Sequence, residues 1–348
     1  MSNQTAPHFF LRMKGSVILG FSGGIDSCTA ARQLLNEGYE VTALTIECID
    51  DKTLMSKAQQ RAEEIGVRWM GYDARDEFKR EIIDYFCNSY QAGLTPAPCT
   101  RCNPRIKWQI LERVADELGV EHIATGHYFN VVERNGHYYV AKGADSTKDQ
   151  SYYLWGLTQK TLSRAITPMG NMIKSEVKQG FADKSESMGV CFLQGCSYAS
   201  FLAERGVNME PGDIVDGSGR VLGRHSGIAR YTIGQRRGDG LTEGMRVVDI
   251  DAERNNIIVG KAEELYKHTL YIKECNIVDS NELIEAKDIT IKIRGIGRNP
   301  ELPVRIIPYD DGYKIVTQDP AWAPAKGQPL VLYRNELVIG GGIVVNFE

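Results

Sequence analysis

The stretch that most constrains the fold is an apolar run followed by a glycine-rich turn near the start of the chain. Residues 17–20 read Val-Ile-Leu-Gly, residues 21–24 read Phe-Ser-Gly-Gly, and residues 25–27 read Ile-Asp-Ser. Apolar residues then recur at helical spacing as far as Leu34 and Leu35. This order predicts a strand, a tight loop and a helix.

The predicted loop has the chemistry of a phosphate cradle. Glycine lacks a Cβ, so Gly23 and Gly24 allow backbone N–H groups to approach an anion closely. The helix that follows adds unpaired N–H groups and partial positive charge at its first turn. The order Ser-Gly-Gly-x-Asp-Ser resembles the loop of enzymes that split ATP into AMP and pyrophosphate, in which Asp26 would help hold Mg²⁺. The alternative interpretation is an ordinary tight turn between a strand and a helix.

Length and composition limit the class of protein. A chain of 348 residues predicts two or three domains. No apolar run is long enough to cross a membrane and the first residues lack a secretory pattern, so we expect a cytoplasmic protein. The eight cysteines then indicate reduced thiols used in chemistry. A net charge of −4 means that any contact with nucleic acid depends on local basic patches.

Strands and helices alternate in the first half of the chain. Besides the opening strand we predict strands at 41–46, 67–72 and 122–125, with helices at 52–65, 77–90 and 105–118. This pattern predicts an open parallel α/β sheet in a domain covering residues 1–204. Together with the resemblance of the glycine loop to that of ATP-splitting enzymes, it implies a Rossmann-like fold similar to the adenine nucleotide alpha hydrolases. Ligands of such sheets lie beyond the carboxyl ends of the strands, so the glycine loop and Gly126 are expected to face one site.

A Cys-x-x-Cys pair lies between two of these helices. Three prolines predict an irregular loop over residues 93–104, with Pro104 opening the next helix. The thiolate of Cys102 would then be favoured by the helix end and by Arg101 and Arg105. Redox, metal-binding and catalytic roles remain open for Cys99 and Cys102. Cys191 lies in an apolar context that is also typical of a buried core cysteine.

From Pro211 onward the chain is rich in glycine and β-branched residues. We predict two all-β units, one over 205–275 and a β-barrel over 276–348. Basic residues cluster in the first unit, where they fit a phosphate backbone or, alternatively, a solvated loop face; they are Arg220, Arg224, Arg230, Arg236 and Arg237, with Tyr231 between them. The stretch Lys148-Asp149-Gln150, followed by aromatic residues, also suits RNA or a simple helix cap.

Taken together, these motifs resemble one family, the bacterial and organellar tRNA-specific 2-thiouridylases. The resemblance covers nearly the whole chain and depends on the order of several short motifs. The motifs are residues 22–27, Cys102-Asn103 with Ile106-Lys107-Trp108, Thr125-Gly126-His127-Tyr128, residues 148–152, Gly189-Val190-Cys191-Phe192, residues 211–214, residues 231–238 and residues 340–343.

The resemblance implies a two-step reaction on tRNA. ATP adenylates the C2 oxygen of the wobble uridine, and sulfur then displaces AMP to give 2-thiouridine. Cys102 would be the nucleophile that ends in a transient disulfide, and Cys191 would carry the persulfide. ATP would be held by Gly20, Phe21, Ser22, Gly23, Gly24, Ile25, Asp26, Ser27, Ile46 and Gly126. The tRNA would be met by Ala97, Pro98, Cys99, Lys148, Asp149, Gln150 and Arg294.

Partners and alternatives follow from the same resemblance. The expected partners are a tRNA with a wobble uridine and a protein that donates persulfide or sulfide sulfur. Cys99 stands where many members of the family carry Asp, so Cys99, Cys102 and Cys191 together could instead hold a [4Fe–4S] cluster. Two further interpretations are an ATP-pyrophosphatase ligase acting on a small molecule and an RNA-binding protein with a relict nucleotide fold.

Overall fold

The computed structural model describes residues 14–179, 189–293 and 298–348. In chain order its strands are β1 (Gly15–Gly20), β2 (Tyr39–Glu47), β3 (Arg68–Asp73), β4 (His122–Thr125), β5 (Phe129–Arg134), β6 (His137–Lys142), β7 (Ala165–Ile166), β8 (Gly212–Val215), β9 (Val221–His225), β10 (Arg246–Asp251), β11 (Asn256–Gly260), β12 (Tyr266–Ile277), β13 (Ile289–Lys292), β14 (Arg305–Tyr309), β15 (Gly312–Trp322), β16 (Pro329–Arg334) and β17 (Leu337–Phe347).

Most helices of the described residues pack around the first sheet. Helices α1 (Ile25–Asn36) and α2 (Leu54–Ile65) are α-helical throughout. Two longer helices contain a π-helical middle; they are α3 (Arg75–Phe78, Lys79–Asp84 and Tyr85–Gln91) and α4 (Pro98–Cys102, Asn103–Lys107 and Trp108–Leu118). Short helices follow as α5 (Gln159–Arg164), α6 (Lys174–Gln179), α7 (Tyr198–Glu204) and α8 (Ser280–Glu285), with 3₁₀ turns at Ser151–Leu154, Cys191–Leu193, Ile228–Arg230 and Ala262–Leu265.

The first sheet has five parallel strands in the order β3-β2-β1-β4-β7. Val17, Ile18 and Leu19 at its centre are fully buried, as expected for parallel strands covered on both faces. β1 lies between β2 and β4, so the order of the strands reverses there. The carboxyl ends of these neighbouring strands therefore form the crevice in which α/β sheets bind ligands. The predicted fold class is confirmed in this half of the chain.

Helix α4 differs from the sequence prediction. It begins at Pro98 and continues through Pro104, so Cys99 and Cys102 lie in its first turns and not in an irregular loop. Proline removes one backbone donor and its ring crowds the carbonyl of the preceding turn. The chain responds by widening into a π turn over Asn103–Lys107, where the Trp108 N–H donates to the Asn103 carbonyl. Because the π turn accommodates Pro104, the helix continues without a break. The sequence pattern alone therefore does not show that it begins at Pro98.

Two β sheets form the second half of the chain. Four strands pair in the order β10-β11-β8-β9, and β12 to β17 form a larger sheet that the β5–β6 hairpin joins through β17. β12 spans Tyr266–Ile277, so the expected division at residue 275 falls inside this strand. The hairpin belongs in sequence to the first unit but pairs with the last, because Val140 and Ala141 align with Val338 and Leu337.

One carboxylate fastens this hairpin to the last sheet. Glu282 accepts hydrogen bonds from Arg134, from the Tyr139 hydroxyl at 2.8 Å and from Arg334 at 3.0 Å. Its side chain is only 10% exposed, so the charge needs these partners. In the parts of the chain that the structure describes, no helix has the length and apolar character required to span a membrane.

Candidate active site

The glycine loop connects β1 to α1 at the crevice. Gly23 has a φ of +72°, and a Cβ there would lie 3.0 Å from the Ala58 Cα, so glycine is required on both counts. The Ser27 hydroxyl donates to the Gly24 carbonyl at 3.0 Å, and the Gly24 N–H donates to the Ser22 hydroxyl at 3.3 Å. These contacts fix a turn that directs the first N–H groups of α1 into the crevice.

The neighbouring strands support the same loop. The Phe21 N–H donates to the Leu44 carbonyl at 2.8 Å, and the Thr45 hydroxyl donates to the Phe21 carbonyl at 2.8 Å. Ile46, expected to contact ATP, follows in β2 and is half-buried. On the other side, a Cβ on Gly126 would lie 3.0 Å from the Ser27 nitrogen. The loop after β4 therefore packs against the start of α1, as the sequence led us to expect.

Asp26 has partners that sequence reasoning missed. Its carboxylate accepts from Lys174 Nζ at 2.6 and 2.7 Å and from the Tyr128 hydroxyl at 2.8 Å. The Lys174 side chain is 8% exposed, so a buried cation lies beside the phosphate loop. Lys174 belongs to the short helix α6, which follows β7 at the edge of the sheet. A lysine at the start of a short helix is too common a pattern to have singled it out.

The stretch after the hairpin is connected to the same site. The Gln150 side chain accepts from the Tyr128 N–H at 2.9 Å, and the Gln150 N–H donates to the Tyr128 carbonyl at 3.0 Å. Asp149 accepts from the Gly143 and Ser151 N–H groups, so it caps a turn. Gln150 thus holds Tyr128, whose hydroxyl contacts Asp26. Lys148 is half-buried next to this pair.

Cys99 and Cys102 occupy the start of α4. Cys102 is 6% exposed, and burial raises the pKa of its thiol to about 12. Burial also raises the pKa of the half-buried Cys99. The expectation that Arg101 and Arg105 favour a Cys102 thiolate is therefore wrong. Arg101 instead donates to the Glu81 carbonyl at 2.9 Å and to its carboxylate at 3.2 Å.

Cys191 is exposed, unlike an ordinary core cysteine. It opens a 3₁₀ turn whose next residue, Phe192, is 6% exposed. The Phe192 ring packs edge-on against Phe86 at 5.1 Å and tilted against Phe201 at 5.1 Å. This aromatic anchor fixes the backbone of the turn while the neighbouring thiol remains accessible to solvent.

Three further residues lie among these thiols. Cys48 directly follows β2, and burial raises the pKa of its thiol to about 12. Lys107 interacts electrostatically with Cys48, Cys99, Cys102 and Cys191. His127, next to Gly126, hydrogen-bonds to the Thr125 hydroxyl at 2.8 Å through Nδ1, and burial with the nearby Lys107 charge lowers its pKa to about 3. None of the three stood out in the sequence as a separate site.

Lys107 and His127 connect the phosphate loop with the thiols of the crevice. His127 follows Gly126, which packs against the first turn of α1, and Lys107 lies within electrostatic range of both His127 and Cys102. The phosphate loop and the buried thiol are therefore linked through Gly126, His127 and Lys107. In contrast, no group of three or more His, Cys, Asp and Glu side chains within the described ranges could hold a metal ion. The [4Fe–4S] alternative on Cys99, Cys102 and Cys191 stays a prediction.

Comparison with known proteins decides the family. The model described as the tRNA methyl transferase HUP domain matches residues 15–195, the tRNA methyl transferase PRC-barrel domain matches 199–261, and the aminomethyltransferase beta-barrel domain matches 267–344. The "tRNA-specific 2-thiouridylase MnmA 2" of Phocaeicola vulgatus is 39% identical over 344 residues, which cover 94% of this chain and 97% of that protein. The chain belongs to the tRNA-specific 2-thiouridylase family.

A second 2-thiouridylase gives the same result. The "tRNA-specific 2-thiouridylase MnmA" of Clostridium acetobutylicum is 35% identical over 356 residues, covering 95% of this chain and all of that protein. A solved 4-thiouridine synthetase–RNA complex with bound ATP is 18% identical, covers 48% of this chain and 39% of that one, and has a TM-score of 0.33, which is too low for further comparison. The resemblance stated from the sequence is confirmed, and membership of this ATP pyrophosphatase family implies the use of ATP.

The residues expected to meet tRNA are distributed over several elements of this 2-thiouridylase. Ala97 and Pro98 open α4, and Ala97 lines a cavity that Arg105 and Trp155 also line. Arg294 lies outside the described residues. Arg236 and Arg237 are exposed and line one wall of a cavity in the second unit.

The rest of the basic cluster is arranged differently. Tyr231 is 2% exposed and belongs to the core, so it is not available for stacking on a base. Arg220 pairs with Asp216 at 3.1 Å and Arg224 with Asp213 at 3.3 Å. Two arginines of this cluster therefore have a neighbouring aspartate that offsets part of their charge.

Proposed function

We propose that this member of the tRNA-specific 2-thiouridylase family makes 2-thiouridine at the wobble position through a persulfide on Cys191 and a thiol on Cys102. The observation that carries the proposal is the connection between the phosphate loop and the thiols in the crevice. Gly126 contacts the phosphate loop, and the neighbouring His127 shares its surroundings with Lys107 and Cys102. A uridine adenylated at the loop would have its C2 atom near the sulfur chemistry.

The first step is adenylation. The uridine O2 attacks the α-phosphorus of ATP, pyrophosphate leaves, and the uridine loses its N3 proton. The loop residues Gly20 to Ser27, with Ile46 and Gly126, would hold the nucleotide. Asp26 would hold the Mg²⁺ that accompanies ATP, and Lys174, already at its carboxylate, adds positive charge for the phosphates. Preorganised charge of this kind is the main source of catalysis in such transfers.

The second step delivers sulfur. The terminal sulfur of the Cys191 persulfide attacks C2 and displaces AMP, which joins the sulfur to the uridine. The Cys102 sulfur then attacks the Cys191 sulfur. This breaks the bond between the Cys191 sulfur and the transferred sulfur, which stays on C2. The electron pair goes to the 2-thiouridine, and Cys102 and Cys191 end as a disulfide. An external thiol reductant returns both to thiols before the next round.

tRNA would lie across several units of the chain. Ala97, Pro98 and Cys99 at the start of α4 are proposed to meet the target uridine. Lys148, Asp149 and Gln150, together with Arg294, are proposed to meet other parts of the tRNA. The exposed Arg236 and Arg237 would bind its phosphates. A protein that carries persulfide sulfur would load the exposed Cys191.

The test separates the two half-reactions in the full-length protein. Unmodified tRNA, ATP and a persulfide donor are supplied, and pyrophosphate release and 2-thiouridine are measured, the latter by mass spectrometry. Asp26→Asn should lose both readouts, whereas Cys191→Ser should release pyrophosphate without forming 2-thiouridine. Cys196→Ser, which removes another exposed thiol, is the matched control and should behave like the parent. Full thiolation by Cys191→Ser would contradict the persulfide assignment, and pyrophosphate release without tRNA would favour a small-molecule ligase.

A further inference from the structure

The geometry of α4 points to Lys107 as the counter-ion of the sulfur anions, a positioning residue for sulfur transfer that has no part in adenylation. The inference rests on the proposed function, because it concerns the thiols of that same site. It begins with the π turn that Pro104 imposes on the helix. Short π turns inside α-helices are rare and are frequent at functional sites.

The π turn changes which residue lies over Cys102. In an ordinary α-helix the residue four positions later stacks on the same face, which would be Ile106. The widened turn, in which the Trp108 N–H reaches back to the Asn103 carbonyl, brings a residue five positions later to that face. Ile106 is fully buried in the core, whereas Lys107 is half-buried and has the thiols as its electrostatic neighbours. The one-residue shift therefore exchanges an isoleucine for a cation beside the nucleophile.

The widened turn is held in place by Asn103. Its side-chain amide donates to the Cys99 carbonyl at 3.0 Å and to the Tyr153 carbonyl at 3.3 Å. Asn103 is 4% exposed, so these bonds are shielded from water and fix the helix against the 3₁₀ turn at Ser151–Leu154. The position of Lys107 relative to Cys102 is thus built into the backbone, and it does not depend on a flexible loop.

The charges around Lys107 are unusual for a half-buried lysine. Within the residues that the structure describes, no carboxylate lies at ion-pair distance from its amine; its electrostatic neighbours are Cys102, Cys99, Cys191 and Cys48. Burial acts to lower the pKa of Lys107, but the negative charge that these sulfurs can carry raises it, and the net shift is upward. Lys107 also acts to lower the pKa of the Cys48, Cys99 and Cys102 thiols against the effect of burial. A half-buried cation whose electrostatic neighbours are thiols stabilises whichever sulfur becomes an anion.

This arrangement explains how a buried thiol can act as a nucleophile. In the structure the pKa of Cys102 is too high for a thiolate at neutral pH. The Cys102 sulfur must nevertheless give its electron pair to the Cys191 sulfur when the sulfur–sulfur bond breaks. Lys107 supplies positive charge at that place. Among the described residues, no carboxylate at ion-pair distance competes with the sulfur for this charge. Adenylation takes place at the phosphate loop, where Lys174 is the nearby cation, so it does not need Lys107.

The experiment compares Lys107→Met, Lys107→Arg and the control Lys57→Met, which removes an exposed lysine from α2. For each full-length variant we measure tRNA-dependent pyrophosphate release, 2-thiouridine formation and the rate at which iodoacetamide alkylates Cys102. We expect Lys107→Met to keep pyrophosphate release within a few-fold, to lose about 100-fold or more in thiolation, the usual effect of removing one preorganised charge, and to alkylate Cys102 more slowly. Lys107→Arg should recover most of both losses, and Lys57→Met should match the parent.

Three results would overturn the assignment. Thiolation at the parental rate by Lys107→Met would show that no counter-ion is needed. An equal loss of pyrophosphate release and thiolation would move Lys107 to the nucleotide. A loss in Lys107→Arg as large as in Lys107→Met, with unchanged thermal unfolding, would mean that the shape and not the charge of the side chain matters. If the parent enzyme itself formed no 2-thiouridine, the proposed function would fail, which is distinguishable from all three.

Discussion

The amine of Lys174 lies 2.6 Å from one carboxylate oxygen of Asp26 and 2.7 Å from the other. This ion pair joins α6, near the edge strand of the sheet, to the first turn of the helix that follows the phosphate loop. A buried lysine that pairs with a carboxylate beside an anion site can serve two purposes. It keeps the loop in place before ATP arrives, and it offers positive charge to phosphates once they are bound.

The first prediction concerns this pair. Lys174→Met should reduce tRNA-dependent pyrophosphate release by about 100-fold, because a preorganised cation at the phosphates is lost. It leaves Asp26 with the Tyr128 hydroxyl as a remaining donor, so the loop should keep its shape. Lys160→Met, which removes a lysine with a 61% exposed side chain, is the matched control. Pyrophosphate release at the parental rate by Lys174→Met would exclude a role for the amine in adenylation.

The second prediction concerns the exposed arginine pair. Arg236→Ala with Arg237→Ala should weaken tRNA binding at low salt and reduce the salt slope of log K by about 1.5, as expected when two phosphate contacts are lost. Arg220→Ala with Arg224→Ala is the control, because both of these arginines already pair with aspartates. Binding titrations over a range of salt concentrations provide the measurement. An unchanged slope would remove Arg236 and Arg237 from the tRNA interface.

Local requirements of the chain explain which parts could be predicted. Gly23 needs a positive φ and has no room for a Cβ, so only glycine suits this position. This requirement can be predicted from the Ser-Gly-Gly-x-Asp-Ser motif. The strands β1, β2 and β4 are apolar runs of the length that buried strands require, and their prediction is close to the structure. The parallel sheet follows from the alternation of such runs with helical periodicity.

Contacts between distant residues explain what could not be predicted. Lys174 meets Asp26 across 148 positions, and only the order of the sheet brings them together. Pro104 looks like the start of a helix because the pattern does not reveal that Pro98 begins it and that a π turn absorbs the second proline. The same error led to the prediction that the Cys102 thiolate is favoured, whereas burial of the first turns of α4 raises the pKa of this thiol.

The third prediction concerns pH and stability. His225 is 2% exposed; it accepts from the Gly227 N–H through Nδ1 at 3.0 Å and bonds the Asn255 carbonyl through Nε2 at 2.9 Å, so it is neutral. Burial lowers its pKa below the ordinary value of 6.5. The unfolded chain therefore binds the proton first as the pH falls. The stabilisation is complete above about pH 6.5 and is lost as the pH drops towards the folded pKa, by at most about 1.4 kcal/mol per pH unit.

Urea unfolding at pH 7.5 and pH 5.5 measures this effect. His225→Gln should lower stability at pH 7.5 but should show less further loss at pH 5.5 than the parent does. His137→Gln, at a half-buried position in the β5–β6 hairpin, is the control and should keep the parental pH dependence. A parental pH dependence in His225→Gln would assign the effect to other groups.

The fourth prediction concerns the connection between the hairpin and the last sheet. Glu282→Gln removes the charge that Arg134 and Arg334 share while keeping the shape of the side chain. We expect a loss of about 2 kcal/mol in the free energy of unfolding, less than for a fully buried pair because both arginines are partly exposed. Glu336→Gln, whose 71% exposed side chain pairs with Lys142 at 3.5 Å, should change it by less than about 0.5 kcal/mol. Equal effects of the two substitutions would show that burial of Glu282 is unimportant.

The last prediction separates the persulfide route from an iron–sulfur cluster. The side chains of Cys99, Cys102 and Cys191 are not gathered into a metal-binding group among the described residues. Cys99 is half-buried, and in the proposed persulfide route it meets the target uridine without passing on sulfur. Cys99→Ser should therefore retain thiolation within a few-fold when a persulfide donor is present, while Cys102→Ser loses it. Iron and acid-labile sulfide are measured in parallel on protein purified without oxygen. Near-stoichiometric iron in the parent, lost together with activity in Cys99→Ser, would replace the persulfide mechanism by a cluster mechanism.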